Sequence, residues 1–558
     1  MPSLSAASIE LFEDLIRYEV EDKAIPSISY ALVDRDGVLA EGHIQRHDRH
    51  FDMREDTCFR IGSITKTFTS LAMMQLVEKG LVDIDVDVST YLPGFHPINP
   101  FAGAEGGPHG SVISLRKLMT HTSGLVREPK SGHYLDATRP ALEDTVNELA
   151  TSTLKQDPSI GIMHYSNAGI AVVGRVIEVV TGQSYSDYVA ENIMKPLGMN
   201  QSSCGMAPGI RERLAPADMW TLDGDTPAPV FSLGGSPAGN IFSTTGDMAR
   251  YVQCLLRGGF NAEGKSIISP ASLREMWAPF GKRPDSLDKS MAGYGLCYGA
   301  GEVDGWESVG HGGAVYGYAS HMLILPGAGI GVLMFATLDF ANQIASRLGV
   351  DGLRIALSER KMGKPLQRVQ RPPVIADEQF NSLPGYYRDD ATKEVVEVKA
   401  KAGKLYLMGD GVPLQIRPVS GHDFVIDGRI YGRGAGYAHM NLSFPEPGKL
   451  VWKDANWTRV EELVDEAVPV EIEPHLGEYG PDFNITYLSY SHGGLKCLIE
   501  YFCTHSCEPV EEGRFRMHGK LYEDEILELD AVDDNGKRGI RVGPMFLERR
   551  PLSRAEAA

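Results

Sequence analysis

The sequence has few basic residues for its length. Its 558 residues include 54 lysines and arginines against 74 aspartates and glutamates, which gives a formal net charge of −20. A chain this acidic is repelled by nucleic acid and by anionic membranes, so neither is expected as a partner. Hydrophobic residues make up 42% and charged residues 23% of the chain, and these proportions indicate an ordered globular protein.

Long apolar runs are also missing. No segment is long and apolar enough to predict a membrane-spanning helix. The first residues show neither the basic start nor the apolar stretch of a signal peptide; instead, Ile9, Phe12, Leu15 and Ile16 recur at helical spacing among acids. The sequence as given predicts an N-terminal amphipathic helix and a cytoplasmic protein, or a periplasmic or secreted one if a leader has been removed.

Cysteine is scarce and scattered. Seven cysteines, an odd number without regular spacing, argue against a disulfide framework. Cys503, His505 and Cys507 alternate in a stretch with strand patterning, where every second side chain faces one way. Zinc would need a fourth ligand, and no second cluster supplies one. The sequence therefore predicts neither a metal site nor any other cofactor.

The length exceeds that of one ordinary domain and predicts roughly two to four domains. Composition changes near residue 365, where the segment KPLQRVQRPPV contains a Pro-Pro pair that breaks any helix. Beyond it, helical periodicity gives way to short alternating runs that are typical of strands. We predict a domain at 1–365, a linker at 366–374 and two modules at 375–468 and 469–558.

The first region begins and ends with strand patterns. Residues 27–43 predict a hairpin around Asp36-Gly37, and residues 311–338 predict another. Between them the pattern is mostly helical, with a clear helix at 168–181. We expect an α/β domain whose antiparallel sheet takes strands from both ends of the region. Helices should flank the sheet, and a helical subdomain should come from the middle.

The last region contains a loose duplication. Residues 383–386 (LPGY) open the first copy and residues 476–479 (LGEY) open the second, and each copy ends in a strand with an aromatic residue. The repeat predicts two small antiparallel β-barrel-like modules of about 90 residues each. A single larger barrel is the alternative. Homo-oligomerisation or added stability would account for such modules; the alternative is that a module loop, at 432–441 or 504–513, reaches a site in the first region and restricts the length of what binds there.

A Ser-x-x-Lys pair at Ser63 and Lys66 has the chemistry of an activated nucleophile. Serine attacks a carbonyl when a nearby base takes its proton, and residues three apart on a helix face the same way. The motif alone is weak because it occurs five times. The other four matches begin at Ser114, Ser152, Ser286 and Ser358. Only Ser63 follows a predicted strand at the start of a long helical pattern, which we interpret as an amphipathic helix over 63–79.

Two further motifs follow in the order and spacing of a known family. The first is Tyr-x-Asn at Tyr165 and Asn167, and the second is His-x-Gly at His311 and Gly313. With the Ser-x-x-Lys pair, this set resembles the serine β-lactamases of class C, the DD-peptidases, the D-aminopeptidases and related esterases. The stretches LRKLMTHTSGL, AENIMKPLGM and SPAGNIFSTTGDMARYV add to the resemblance. It covers roughly residues 10–350 and implies a β-lactamase-like catalytic domain.

The resemblance implies a role for each motif residue. Ser63 would be acylated, and Lys66 and Tyr165 would share the base and acid steps, in an order that the sequence leaves open. Asn167 would hold Lys66 and contact the substrate amide. The backbone N–H groups of Ser63 and Ala314 would form the oxyanion hole.

Each of these residues also has a purely structural interpretation. Tyr165 would then be a core tyrosine, and His311 a strand histidine with its hydrogen bonds satisfied. For the structural interpretation to be correct, every residue of the set must be structural at the same time. The set fits one catalytic geometry, which argues against that interpretation. His121 of the HTSGL stretch is different, because we interpret it as structural, capping a helix end or packing beneath the site.

His311 at the third motif bears on the substrate. Family members that bind a substrate carboxylate at this strand tend to have a permanent cation there, whereas histidine is mostly neutral near pH 7. This counts against a dedicated penicillinase or DD-carboxypeptidase. The resemblance to the D-aminopeptidases favours a serine peptidase or amidase that forms an acyl-enzyme with small or unusual peptides. A carboxylesterase with weak β-lactamase activity is the alternative; an alternative of another class is a non-catalytic penicillin-binding-type sensor or scaffold.

Overall fold

The computed structural model divides the chain into two compact units. One unit comprises Met1–Met219 and Thr226–Arg368, and the other comprises Trp220–Asp225 and Val369–Ala558. The predicted linker at 366–374 lies outside the described residues, and the predicted domain boundaries remain predictions. The described residues are 3–101, 112–133, 135–136, 138–221, 224–234, 236–281, 291–339, 341–363, 377–392, 394–401, 403–409, 412–427, 441–460, 467–481, 484–491, 493–499, 503–518, 522 and 524–550.

A seven-stranded antiparallel sheet organises the first unit. In chain order, strands β1 to β12 are Ser27–Asp34, Val38–Gln45, Phe59–Arg60, Ser203–Cys204, Asp218–Thr221, Gly224–Pro227, Ile241–Ser243, Met291–Tyr294, Gly299–Val303, Trp306–Val315, Tyr318–Leu325 and Ile330–Ala336. The large sheet has the order β2-β1-β12-β11-β10-β9-β8. Strand β1 pairs with β12 in a register that places Ile28 opposite Ala336. The sheet therefore takes strands from both ends of the region, as predicted.

Most of the helices lie between β1 and β12 in the sequence. In chain order, α1 to α12 are Ala6–Asp22, Thr65–Glu78, Leu115–Met119, Leu142–Leu149, Asn167–Thr181, Tyr185–Val189, Ile210–Arg213, Ser236–Gly239, Thr245–Leu256, Pro270–Trp277, Asn342–Glu359 and Asp377–Ser382. The predicted N-terminal helix and the predicted helix at 168–181 correspond to α1 and α5. A smaller three-stranded sheet, β3-β7-β4, contains the strand predicted before Ser63, but its pairing with β7 and β4 was not predicted.

Helix α2 is the central helix of the first unit. Every residue from Thr65 to Leu76 is buried, and the apolar ones belong to the main hydrophobic core. The prediction of an amphipathic helix is therefore wrong. A helix buried on all sides must be surrounded by core, and its threonine hydroxyls have internal partners, such as the Ile64 carbonyl oxygen that accepts from Thr67 at 2.8 Å.

Two separate eight-stranded sheets form the C-terminal region. The prediction of two modules is therefore confirmed, and the alternative of a single larger barrel is wrong. Strands β13 to β20 are Gly385–Asp389, Val395–Lys401, Lys404–Gly409, Val412–Ser420, Asp423–Ile426, Asn441–Ser443, Lys449–Trp452 and Ala455–Val460, and they close into a barrel. Strands β21 to β28 are Gly477–Tyr479, Thr486–Ser491, Gly494–Ile499, Cys503–Glu511, Arg514–His518, Ile526–Val532, Arg538–Val542 and Met545–Glu548. A bridge between Tyr479 and Arg549 brings the ends of this second sheet together.

Cys503, His505 and Cys507 lie on strand β24, as their alternation predicted. Within the described residues, no three His, Cys, Asp or Glu side chains are grouped so that they could hold a metal ion. Nor does any described helix have the length and apolar character needed to cross a membrane.

Candidate active site

Ser63 lies where strand β3 turns into helix α2. A 3₁₀ turn at Gly62–Ile64 joins the two elements, and Gly62 has a φ of +50°, which favours glycine. A Cβ on Gly62 would lie 2.7 Å from the Ala314 nitrogen, so glycine also lets strand β10 approach the nucleophile segment. On the next turn, the Lys66 amine lies 2.9 Å from the Ser63 hydroxyl oxygen. The predicted Ser-x-x-Lys pair is therefore in direct contact.

Burial brings the pKa of the Lys66 amine close to neutral pH. Burial lowers the pKa of Lys66 from its usual 10.5 to about 7, because removal from water destabilises the charged form. Nearby groups have smaller effects on this pKa: Cys297 and Glu128 raise it and Arg127 lowers it. The amine also donates to the Ala238 carbonyl oxygen at 2.6 Å. At neutral pH the neutral and charged forms are thus comparably populated.

Tyr165 packs among the charged groups of the site. Its ring centroid is 5.0 Å from the Lys66 amine and 5.5 Å from the Arg127 guanidinium carbon. Burial raises the pKa of the phenol above its usual 10, and a hydrogen bond with the Ser63 side chain acts in the opposite direction. Tyr165 therefore carries its proton at neutral pH. The His121 ring packs 4.2 Å from the Tyr165 ring, between centroids.

Asn167 is the first residue of helix α5. The Ser166 hydroxyl caps this helix by accepting from the Gly169 N–H at 2.9 Å. The Asn167 amide nitrogen donates to a Glu128 carboxylate oxygen at 2.6 Å, while its carbonyl oxygen is buried and accepts no hydrogen bond from the described residues. Because Lys66 bonds to Ser63 and Ala238 instead, the role of Asn167 in holding the lysine remains a prediction.

Strand β10 presents the Ala314 N–H toward the nucleophile segment. Strands β10 and β11 meet in a two-residue turn, with Val315 opposite Tyr318. The two residues that flank such a turn, Val315 and Tyr318, hydrogen-bond to each other. Hydrogen-bonded and non-hydrogen-bonded pairs alternate along an antiparallel ladder, so the N–H of the next residue, Ala314, points away from β11. Pairing of β10 with β9 ends at Gly310, so this edge is open. The Ser63 N–H belongs to a first helical turn, where the helix supplies no acceptor.

Gly313 explains how β10 packs so closely against the segment that carries Ser63. A Cβ on this residue would lie 2.1 Å from the Ile61 carbonyl oxygen and 2.2 Å from the Ser320 hydroxyl. The Ser320 hydroxyl itself donates to the Ile61 oxygen at 2.8 Å. A side chain at 313 would therefore push β10 away from Ser63. The predicted residues Gly313 and Ala314 are placed by backbone packing against the strand that precedes the nucleophile.

His311 lies beside this edge and is held in one tautomer. Its Nδ1 bonds to the Gly312 carbonyl oxygen, so it carries the proton, and the Tyr294 hydroxyl then donates to Nε2 at 2.8 Å. Burial, reinforced by the charge of Lys66, lowers the pKa of His311 to about 3. The imidazole is therefore neutral across the working pH range.

The sequence motifs missed several groups of the site: Ala238, Glu128, Arg127 and Tyr294. Ala238 lies in a family-like stretch, but it contributes a backbone carbonyl, which leaves no signature in residue type. Chemically, the arrangement can move a proton from a serine hydroxyl to a buried amine, with two backbone N–H donors and a protonated phenol nearby.

Comparison with known proteins identifies the family of the chain. The beta-lactamase family model matches residues 12–350, and the chain belongs to the beta-lactamase family. Penicillin-binding protein 4 of Amycolatopsis lactamdurans is 30% identical over 328 residues, which span 58% of this chain and 80% of that protein. The predicted family resemblance is confirmed.

Solved structures show the same fold at lower identity. An octameric penicillin-binding protein homologue from Pyrococcus abyssi is 22% identical, with a TM-score of 0.56, over 81% of this chain and all of that chain. A D-amino acid amidase from Ochrobactrum anthropi is 21% identical, with a TM-score of 0.52, over 64% of this chain and all of that chain. The predicted fold class, a β-lactamase-like α/β domain followed by two barrel-like modules, is confirmed.

Proposed function

We propose that the chain is a serine hydrolase that forms an acyl-enzyme on Ser63. The observation that carries this proposal is the 2.9 Å contact between the Ser63 hydroxyl and the Lys66 amine, combined with the lowered pKa of that amine. A base works best when its pKa lies near the operating pH. Lys66 meets this condition, whereas the raised pKa of Tyr165 leaves the phenol protonated. Lys66 is therefore the base and Tyr165 the acid.

The steps follow from these assignments. Neutral Lys66 takes the Ser63 proton while the serine oxygen attacks the substrate carbonyl carbon. The Ser63 and Ala314 N–H groups stabilise the oxyanion that forms. Tyr165 gives its proton to the leaving nitrogen as the C–N bond breaks, and the Lys66 ammonium reprotonates the phenol. Water then attacks the ester through the same groups and releases the acid.

The substrate class follows from the charge of the site. Neutral His311 offers no permanent cation to a carboxylate next to the scissile bond, which supports a substrate without one. The D-amino acid amidase shares the fold of the catalytic unit. We propose amide bonds of small or unusual peptides, including those with D-residues, as the substrate.

A fluorophosphonate probe and a substrate panel test the proposal. The probe should label Ser63 in the wild type and not in Ser63→Ala, which should remain folded and lose turnover. The panel comprises D- and L-aminoacyl anilides, short peptides, nitrophenyl esters and nitrocefin. We expect the highest kcat/KM for an aminoacyl amide. A strong preference for the esters would favour the carboxylesterase alternative. Absence of labelling in the folded wild type would favour a non-catalytic sensor or scaffold.

A further inference from the structure

A chain of buried hydrogen bonds links helix α2 to the segment that holds the Lys66 amine. The Thr69 hydroxyl donates to the Pro237 carbonyl oxygen at 2.7 Å. The Tyr185 hydroxyl lies 2.8 Å from the same threonine oxygen. Thr69 has one proton to give, so the bond from Tyr185 must run from the phenol to the threonine. Thr69 and Tyr185 are both buried.

The end of this chain is next to the amine. Pro237 and Ala238 are consecutive residues of α8, and the Ala238 carbonyl oxygen accepts from Lys66 at 2.6 Å. A neutral amine has two N–H bonds and one lone pair. When one N–H donates to the Ala238 oxygen, the lone pair has fewer possible orientations. The orientation that faces the Ser63 hydroxyl is among those that remain.

We propose that Thr69 is a positioning residue which, by holding the Pro237 carbonyl, fixes the Ala238 carbonyl that orients the Lys66 amine toward Ser63. This inference rests on the proposed function of Ser63 and Lys66. It assigns to Thr69 and Tyr185 no contact with substrate. Their effect passes through α8, a segment of four residues whose Pro237 and Ala238 carbonyls accept from Thr69 and Lys66 of α2.

The same helix offers a matched control. The Tyr251 hydroxyl donates to Thr67 at 3.1 Å, and the Thr67 hydroxyl donates to the Ile64 carbonyl oxygen at 2.8 Å. This is again a buried Tyr–Thr–carbonyl chain. It ends on the turn before α2 and does not reach α8. Loss of the Thr67 hydroxyl should therefore cost similar stability without moving the Ala238 oxygen.

The test is the pH dependence of Ser63 labelling by a fluorophosphonate probe. Thr69→Val should slow labelling by about tenfold on the pH plateau, since small misplacements of reacting groups have effects of this size. It should also move the acid limb of the profile, where the labelling rate falls as Lys66 becomes protonated, to lower pH. Withdrawal of the Ala238 carbonyl oxygen destabilises the Lys66 ammonium and so lowers the pKa of the amine. Thr69→Ser should restore both the rate and the limb. Thr67→Val should lower the melting temperature comparably and leave the limb unchanged.

Equal pH profiles for Thr69→Val and Thr67→Val would overturn the inference while leaving the proposed function intact. If Thr69→Val does not fold, Tyr185→Phe takes its place, with a smaller shift expected in the same direction; an unmoved limb in that variant overturns the inference equally. Wild-type protein that is not labelled at Ser63 would instead remove the proposed function, and the inference with it.

Discussion

Arg127 provides a quantitative test of Lys66 as the base. The guanidinium carbon and the Lys66 amine lie 5.5 and 5.0 Å from the same Tyr165 ring centroid, so the two charges are at most about 10.5 Å apart. At an effective dielectric constant of about 20, two like charges at that separation repel by about 1.6 kcal/mol, or about 1.2 pKa units. The Arg127 side chain is 24% exposed, and solvent screening reduces this to roughly half.

Arg127→Gln should therefore raise the pKa of Lys66 from about 7 by roughly 0.5–1 unit. Lys66 must be neutral to act, so activity rises with pH through this pKa, and the acid limb should move to higher pH. Glu128→Gln should move it to lower pH, because Glu128 raises the pKa of Lys66. Glutamine retains an oxygen that can accept from Asn167. The double variant should lie close to the wild type.

The measurement is the second-order rate of Ser63 labelling by a fluorophosphonate between pH 5 and 10, a range of about 2–3 units on either side of the expected pKa. Arg354→Gln is the matched control, since Arg354 pairs with Asp304 at 2.9 and 3.0 Å and is similarly exposed, at 30%. It should leave the limb in place. Acid limbs that move in the same direction for Arg127→Gln and Glu128→Gln would refute the assignment of Lys66 as the titrating base.

Three further variants test the remaining parts of the site. Lys66→Ala and Tyr165→Phe should each lower kcat by about 10³ or more, and the double variant should be little worse, because the two groups act as a unit; additive losses in kcat would contradict this. His311→Lys should raise kcat/KM for carboxylate-bearing cephalosporins relative to neutral esters by about tenfold, since a hydrogen bond to a charged group contributes about 1.5–3 kcal/mol; unchanged relative rates would mean that residue 311 does not face the substrate. Gly313→Ala should lower kcat by about 10²-fold by displacing an oxyanion donor, and Gly312→Ala, whose Cβ would meet only a carbonyl oxygen at 3.7 Å, should have a much smaller effect; equal losses in the two variants would refute the packing argument.

The sequence was most informative where chemistry requires particular side chains. Ser63 and Lys66 were predictable as a pair, because helical spacing alone brings residues three apart together. The turns were also predictable: Gly182 ends α5 with a φ of +70°, as its position after the helical pattern indicated. These features depend on local geometry, which residue type controls.

The rest depended on tertiary packing. The helix over 63–79 was predicted to be amphipathic, whereas the structure buries every residue of α2 from Thr65 to Leu76 and gives the Thr67 hydroxyl an internal acceptor. The lowered pKa of Lys66 is a consequence of this burial and could not be read from the motif. The sequence predicted a barrel-like module but not the strand pair that closes it, because β13 pairs with β20 and places Tyr387 opposite Arg459 across distant sequence.

Because β1 pairs with β12, the large sheet is completed late during synthesis on the ribosome. Ser63 is made early, but the strand that carries Ala314 emerges about 250 residues later, which at 5–20 residues per second takes roughly 13–50 s. During that interval β12 has not been made, so β1 lacks the strand with which it pairs on that side. A nascent chain that stops within this window contains Ser63 and Lys66 but lacks Ala314, the second oxyanion donor of the proposed mechanism. The proposed acylation of Ser63 therefore requires that synthesis has passed Ala314 on β10.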